Sequence, residues 1–354
     1  METTTTATSW QYSRRGSLLT TLEKREVELP SLQAGEVLVR VHAAALNPFD
    51  WKIAAAVPGL IKKLPHTAGT DFAGEVVDFI GREHRDAKEP AWLVKGLKVY
   101  GVLPVDETFR DGRGTLATYL IAKATNVAPV PEGMSCVDAA GLCTVGLTAR
   151  SLALHVRPND RVLILGGTTS VGLLLIQMCV AEQASHIVVS CSKDKAGATK
   201  KCGAHAFVDY KDEMEKRLEE KYASAPFDVI LDCVGSFATY RACPGFLKEQ
   251  GSYFNAGFSS LDHSNLARSA LNFFKDVIAT MLLPVQLGGT PRKFVAVGKD
   301  MDQMPHLCRY VEAGQIKPCT DSTFSFDETP KAYEHLINGR VLGKVIVKVT
   351  DERT

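Results

Sequence analysis

The stretch Arg161–Gly172, RVLILGGTTSVG, sets three glycines and three small hydroxyl residues between an apolar run and a long apolar segment. A strand that enters such a turn and leaves it as a helix presents backbone N–H groups to a phosphate, as dinucleotide-binding βαβ units do. One helix later, Val188–Lys195 (VVSCSKDK) ends in Ser192, Lys193 and Lys195. An NAD site places an Asp or Glu there for the ribose 2′-hydroxyl. A basic end favours a 2′-phosphate instead, because cations at a helix start are unfavourable unless an anion lies against them. The chemistry indicated is hydride transfer with NADPH. The turn departs from G-x-G-x-x-G: Gly166, Gly167 and Gly172 are present, but Thr169 and Ser170 fill its middle. Small hydroxyl residues still allow close approach of a pyrophosphate and add O–H donors. A tight turn without a ligand is the alternative.

A doubly wound parallel sheet is what would position these residues, and from Asp138 onward the pattern alternates helix and strand accordingly. Helices are expected to about 154 and over 170–183, 194–202, 212–222, 236–247, 300–313 and 328–338. Strands are expected over 161–165, 186–191, 206–209, 227–232, 251–257, 293–297 and 343–349. Ser260–Leu287 reads as an apolar helical segment that walls a pocket or belongs to a core or dimer contact. Ahead of it, from about Glu36 to Val130, short β-rich runs (EVLVRVHAAAL, FAGEVVDFI, LKVYGVL, LATYLIA) are broken by Gly, Pro and Asp, with Gly81–Lys95 as an exposed loop.

Composition bounds the function classes. The 354 residues are 45% hydrophobic and 23% charged, enough for two domains with a core each. A net charge of +1 with scattered Lys and Arg suggests neither a nucleic-acid nor an anionic membrane surface. No apolar run reaches the length of a membrane span. The Thr-rich start, residues 1–12, reads as a disordered tail and not a secretory signal. Nine cysteines without a C-x-x-C pair lie mostly in apolar patterns, which fits buried reduced thiols and a cytosolic compartment.

Taken in order, Asn47–Lys52 (NPFDWK), Gly69–Gly74 (GTDFAG), Gly146–Ala149 (GLTA), the 161–172 turn, Lys201–Ala204 (KCGA) and Gly343–Val345 (GKV) resemble the medium-chain dehydrogenases. The similarity is to their zinc-free, quinone oxidoreductase-like branch, from about Glu36 to Val349. It implies a GroES-like β-rich catalytic domain (13–137), a Rossmann NADPH-binding domain (138–288) and a C-terminal part (289–354). That last part completes the sheet and returns to the catalytic domain, with the cofactor in the cleft between the two. A homodimer through the strand near Phe294–Val297 is also implied.

The resemblance bears on metal as well. Asn47 stands where the zinc branch has its first Cys ligand, and Gly69-Thr70-Asp71 replaces the Gly-His-Glu of the second. His66 alone does not make a site, so no metal is expected. Without a Lewis acid the natural reaction is hydride transfer to an electrophilic acceptor, a quinone or an α,β-unsaturated carbonyl. Asn47, with its amide donors, is the first catalytic candidate, or else a residue that shapes the loop before Pro48; Asp50 and Lys52 follow as catalytic candidates or surface charge. Tyr119 and Tyr253 offer hydroxyls to an oxyanion or serve as core aromatics. With no convincing general acid, the proton comes from solvent.

Gly167, Thr168, Thr169, Ser170, Val171 and Gly172 are the expected pyrophosphate contacts. Thr148 is carried over from the family as a cofactor neighbour, and Lys195 aligns with its phosphate-gripping Lys, accompanied by Ser192 and Tyr210. Cys233 and Val234 after one strand, and Ala256, Gly257 and Phe258 after the next, are expected to pass over the riboses. Arg340 is expected to add a phosphate contact. Two further readings stay open: an enoyl reductase of polyketide or lipid metabolism, and an NADPH-binding sensor or adaptor with little turnover.

Overall fold

The computed structural model describes residues 5–80, 92–257, 292–339 and 341–352. Gly81–Pro90, the segment Ser260–Leu287, Phe258 and Arg340 lie outside the described residues. The chain divides into two units, Met1–Thr144 with Pro318–Thr354, and Val145–Lys317. Its strands in chain order are β1 (Thr6–Tyr12), β2 (Leu22–Glu28), β3 (Glu36–Leu46), β4 (His66–Thr67), β5 (Asp71–Ile80), β6 (Lys98–Val102), β7 (Tyr119–Lys123) and β8 (Val127–Pro129). The series continues with β9 (Arg161–Leu165), β10 (His186–Ser190), β11 (Ala206–Val208), β12 (Phe227–Asp232), β13 (Leu247–Asn255), β14 (Lys293–Ala296), β15 (Thr320–Ser325) and β16 (Lys344–Lys348).

In the first unit β2-β1-β4 form one sheet, and β15-β16-β3-β5-β6-β8 form a larger one in which β7 also pairs with β3. The apolar run of β3 is buried almost throughout, with Val37, Val39 and Val41 in a core shared with Phe72, Val99, Leu116 and Tyr333. Such a continuous apolar strand needs cover on both faces. The helix Thr329–Ile337 gives that core Ala332, Tyr333 and Leu336, whose i, i+1, i+4 spacing faces one side.

In the second unit the six strands among the described residues are parallel, ordered β11-β10-β9-β12-β13-β14. The order reverses between β9 and β12, the switch point where open α/β sheets take ligands at the carboxyl ends of their strands. Val162, Leu163, Ile164 and Leu165 are wholly buried, as a central strand covered by helices on both faces requires. This α/β architecture, a GroES-like part and a Rossmann-type part, is the one expected from the sequence.

Several expectations are corrected. Residues 6–12 are not a tail: β1 pairs with β2 from Thr6↔Glu28 to Tyr12↔Leu22, and the alternate residues Ala7, Ser9 and Gln11 are buried. Threonine's β-branched side chain suits a pleated surface, which outweighs the low-complexity appearance. The helix expected to about 154 is two, Cys136–Ala140 and Cys143–Ala153, separated at Gly141. Pro244 ends the helix Phe237–Ala242 early, and β13 starts at Leu247. The divide between units also falls later than residues 137 and 288. The helix Cys136–Ala140 packs on β3, β5 and β6, while β14 stays with the second unit by pairing with β13.

Candidate functional site

The turn after β9 is built by the residues that break the glycine fingerprint. Gly166 has φ +77°, and its N–H donates to Ser190 Oγ across 2.9 Å while the Gly167 N–H donates to Ser190 O across 2.9 Å. Thr169 caps the helix Ser170–Ala181: its Oγ1 accepts from Gly172 N (3.0 Å) and donates to Gly166 O (2.8 Å). Its hydroxyl is spent inside the turn, so the expected side-chain contact from Thr169 to a phosphate is corrected to a capping role. Thr168 and Ser170 are half-buried. The N–H groups of Thr168 and Val171 carry no hydrogen bond among the described residues, which leaves them to an anion at the positive end of the helix. Gly172 is required by close packing, since a Cβ there would lie 2.2 Å from Gly166 O.

Beyond β10, Ser192 is buried and its hydroxyl binds the exposed Asp194 carboxylate, so it is not the open phosphate ligand expected. That bond is the main cause that holds Asp194 below the usual carboxylate range. The acid after β11, Asp209, is turned onto backbone, accepting from Lys193 N (3.3 Å) and Lys211 N (3.0 Å). Lys193 is exposed and Lys195 half-exposed. Tyr210 is exposed, with Lys211 Nζ 6.0 Å from its ring centre.

The ends of β12 and β13 meet the glycine turn. A Cβ on Gly166 would lie 2.5 Å from Val234 Cγ1, and one on Gly257 would lie 2.2 Å from Val234 C. Thus Gly166, Val234 and Gly257 come together at the switch point, with Cys233 preceding Val234 and Ala256 bonded through its N–H to Asp232 O (2.9 Å). Asp232, absent from the sequence reading, supports this loop. Its buried carboxylate accepts from the N–H groups of Val234, Gly235 and Ser236 and from Tyr253 Oη. Tyr253 is wholly buried and so is a core residue, not an oxyanion donor. Thr148 is half-buried on the helix Cys143–Ala153.

In the first unit Asn47 caps the helix Pro48–Ala56, with Pro48 at its first position and Asp50 accepting from Asn47 N across 2.8 Å. Asn47 Nδ2 donates to Asp71 Oδ2 (2.9 Å) and Thr70 Oγ1 (3.3 Å), and Thr70 Oγ1 donates to Asp50 Oδ1 (3.4 Å). Lys344 Nζ donates to Asn47 Oδ1 (2.7 Å) and Asp71 Oδ2 (3.2 Å), while Thr144 donates its N–H and hydroxyl to Asp71 Oδ1. All of these but the half-exposed Thr144 are buried. Both amide hydrogens of Asn47 are thereby engaged, which corrects its expected role as donor to an acceptor oxygen: here it is a held structural amide. Burial above all, with the Asp71 charge, pushes the Asp50 carboxyl up to about 7, against the Asn47 N–H, Lys344 and the Thr70 hydroxyl.

Lys52 stands apart from these bonds. Its Nζ lies 5.5 Å from the Trp51 ring centre, and burial lowers its pKa. The cation of the cluster is Lys344, one of the residues that sequence reasoning did not place in a site. A lysine opening the apolar strand GKVIVKV was the available signal, because a buried ammonium demands a partner. Tyr119 is half-buried on β7 opposite Arg40.

Comparison with known proteins agrees with this geometry. Residues 33–132 match the alcohol dehydrogenase GroES-like domain, and residues 202–347 match the zinc-binding dehydrogenase domain. The chain is 30% identical to the trans-enoyl reductase pgmF of Aspergillus terreus over 363 residues, covering 98% of this chain and 97% of that protein. It is 27% identical to the mitochondrial NAD(P)H oxidoreductase RTN4IP1 of Drosophila melanogaster, over 97% of this chain and 86% of the relative. The quinone oxidoreductase structure from Coxiella burnetii superposes with a TM-score of 0.76 at 24% identity, covering 98% of this chain and 100% of that one. The chain belongs to the medium-chain dehydrogenase/reductase family of pyridine-nucleotide-dependent oxidoreductases.

The matched domain's name implies zinc. The donor set of Asn47, Thr70 and Asp71 does not fit it, since the Lys344 ammonium already binds the amide and the carboxylate a cation would need. Among the described residues no helix is long and apolar enough to cross a membrane.

Proposed function

We propose that this chain is an NADPH-dependent reductase that transfers hydride, without zinc, to an α,β-unsaturated carbonyl or a quinone. The observation that carries the reading is the switch-point turn at Gly166–Gly172 beside a second strand that ends in Ser192-Lys193-Asp194-Lys195, with Asp209 engaged by backbone. When bound, NADPH supplies a hydride at the nicotinamide C4. The N–H groups of Thr168 and Val171 hold the pyrophosphate, and Lys195 with Lys193 draws the 2′-phosphate. Cys233, Val234, Ala256, Gly257, Phe258, Thr148 and Arg340 complete the nucleotide site in this reading. Asn47, Asp50 and Lys52 are the catalytic residues of this reading, and solvent gives the proton.

Among acceptors, conjugated enoyl compounds are favoured, a reading supported by the likeness to the trans-enoyl reductase pgmF. A homodimer through β14, an edge strand among the described residues, and a cytosolic location complete the proposal, the latter supported by nine free cysteines. Fluorescence titration with NADPH and NADH, followed by a panel of alkenals, enoyl thioesters and quinones, tests it. Preferential NADPH binding with turnover of an enone or quinone is expected. Preference for NADH overturns the cofactor assignment, and tight NADPH binding with no turnover supports the sensor reading instead.

A further inference from the structure

Asp232 ends β12 with no exposed surface, and four donors converge on its two oxygens. Oδ1 accepts from Val234 N and Gly235 N, each at 2.8 Å; Oδ2 accepts from Ser236 N and Tyr253 Oη, each at 2.6 Å. An ionised carboxylate is purely an acceptor and satisfies this arrangement. A proton on Oδ1 would confront two amide N–H groups, and one on Oδ2 would require the Tyr253 hydroxyl to turn away and donate to Ser236 O, 3.0 Å from it. The three amides belong to the loop whose Val234 touches both Gly166 and Gly257, so the carboxylate sets where that loop stands against the glycine turn.

We propose that Asp232 and Tyr253 form a buried positioning pair that holds loop 233–236 in register for the dinucleotide, so that cofactor affinity depends on Asp232 remaining ionised. The inference rests on the reading that this sheet edge binds a pyridine nucleotide. Burial raises the Asp232 carboxyl above its ordinary range, opposed by the Tyr253 hydroxyl and the three amides. The titratable groups facing the pair are Cys233 in the loop, Cys243 after the helix Phe237–Ala242, and Glu215 on the helix Met214–Tyr222. Glu215 accepts from Thr239 Oγ1 at 2.8 Å, and that hydroxyl lies 2.7 Å from Ser236 Oγ. Burial keeps both thiols protonated, and removing the Tyr253 donor, which lowers the Asp232 carboxyl, moves Asp232 further toward protonation.

Tyr253→Phe removes the hydroxyl but keeps the ring that packs on Tyr240 (5.2 Å) and Phe294 (5.8 Å). The full chain is titrated calorimetrically with acid-stable NADP⁺ at pH 6, 7 and 8. The ratio of variant to wild-type Kd is taken at each pH, which cancels the titration of the ligand's own phosphate. The ratio is expected at about threefold or more, rising as pH falls. Asp232→Asn, with an amide nitrogen that cannot accept, is expected to bind weakly at every pH, and thermal unfolding checks that both variants fold. A ratio near one, or one that does not change with pH, overturns the inference alone. A wild type that binds neither NADP⁺ nor NAD⁺ overturns the nucleotide reading and this inference with it.

Discussion

Lys344 Nζ lies 2.7 Å from Asn47 Oδ1, although 297 positions separate the two residues in the chain. An ammonium only donates and a carboxylate only accepts, so the contact fixes the Asn47 amide with its oxygen toward Lys344 and its nitrogen toward Asp71 and Thr70. Lys344 also pairs with Asp71, and both side chains are almost completely buried.

Lys344→Met leaves Asp71 buried without its counter-ion, which costs roughly 3–5 kcal/mol. The double variant Lys344→Met/Asp71→Asn is expected to recover most of that loss, read from denaturant unfolding. A single variant as stable as wild type would show that the pair contributes nothing.

Asp50 and His66 are expected to tilt stability against pH in opposite directions. The folded Asp50 carboxyl is raised from 3.8 to about 7, so the native state holds the extra proton, and stability from this group is lost as pH rises from about 4 to 7. His66 is lowered from 6.5 to about 4, mainly by burial, so its neutral form is favoured and stability is lost as pH falls from 6.5 to 4. Each slope is about 1.4 kcal/mol per pH unit, and between pH 5 and 6.5 they offset. Asp50→Asn should therefore expose rising stability with pH across that window, and His66→Phe the reverse, in urea midpoints measured at pH 5, 6 and 7. Parallel curves for both variants and wild type would remove the assignment.

Gly172→Ala puts a methyl 2.2 Å from Gly166 O and must displace the turn. Dinucleotide affinity is expected to fall by more than about tenfold, and stability by about 1–3 kcal/mol, from overpacking. Cofactor titration and thermal unfolding read the two effects separately.

Lys195→Glu places a carboxylate where a 2′-phosphate is proposed to lie. Loss of a charge-assisted contact is worth about 1.5–3 kcal/mol, so the NADPH-over-NADH ratio should drop by roughly ten- to a hundredfold. An unchanged ratio of the two dissociation constants would sink the phosphate assignment.

The carboxyl edge of the second unit was legible because its signals are local. The apolar run 162–165, the glycines of the turn and the apolar segment after it are contiguous, and backbone geometry alone makes them strand, turn and helix. Asp232 escaped notice because its donors include Tyr253, 21 positions later, and a single Asp at a strand end has no pattern of its own. The strand β2 (LEKREVE) shows no apolar alternation and exists through its seven-residue pairing with β1.

By itself the sequence determined the alternation of helix and strand in the second unit, the phosphate-type turn and the basic end of the second strand. These follow from periodicity, small residues and charge along short stretches of chain. Only the tertiary structure decided that Thr169 caps its helix, that the first residues form a strand, and that Asn47 is held by Asp71 and a lysine near the other end of the chain. Burial and hydrogen-bond partners are properties of packed neighbours, and here β3, β5 and β16 bring those neighbours together. The lysine that opens an apolar strand in the chain is, once folded, the counter-ion of a buried carboxylate.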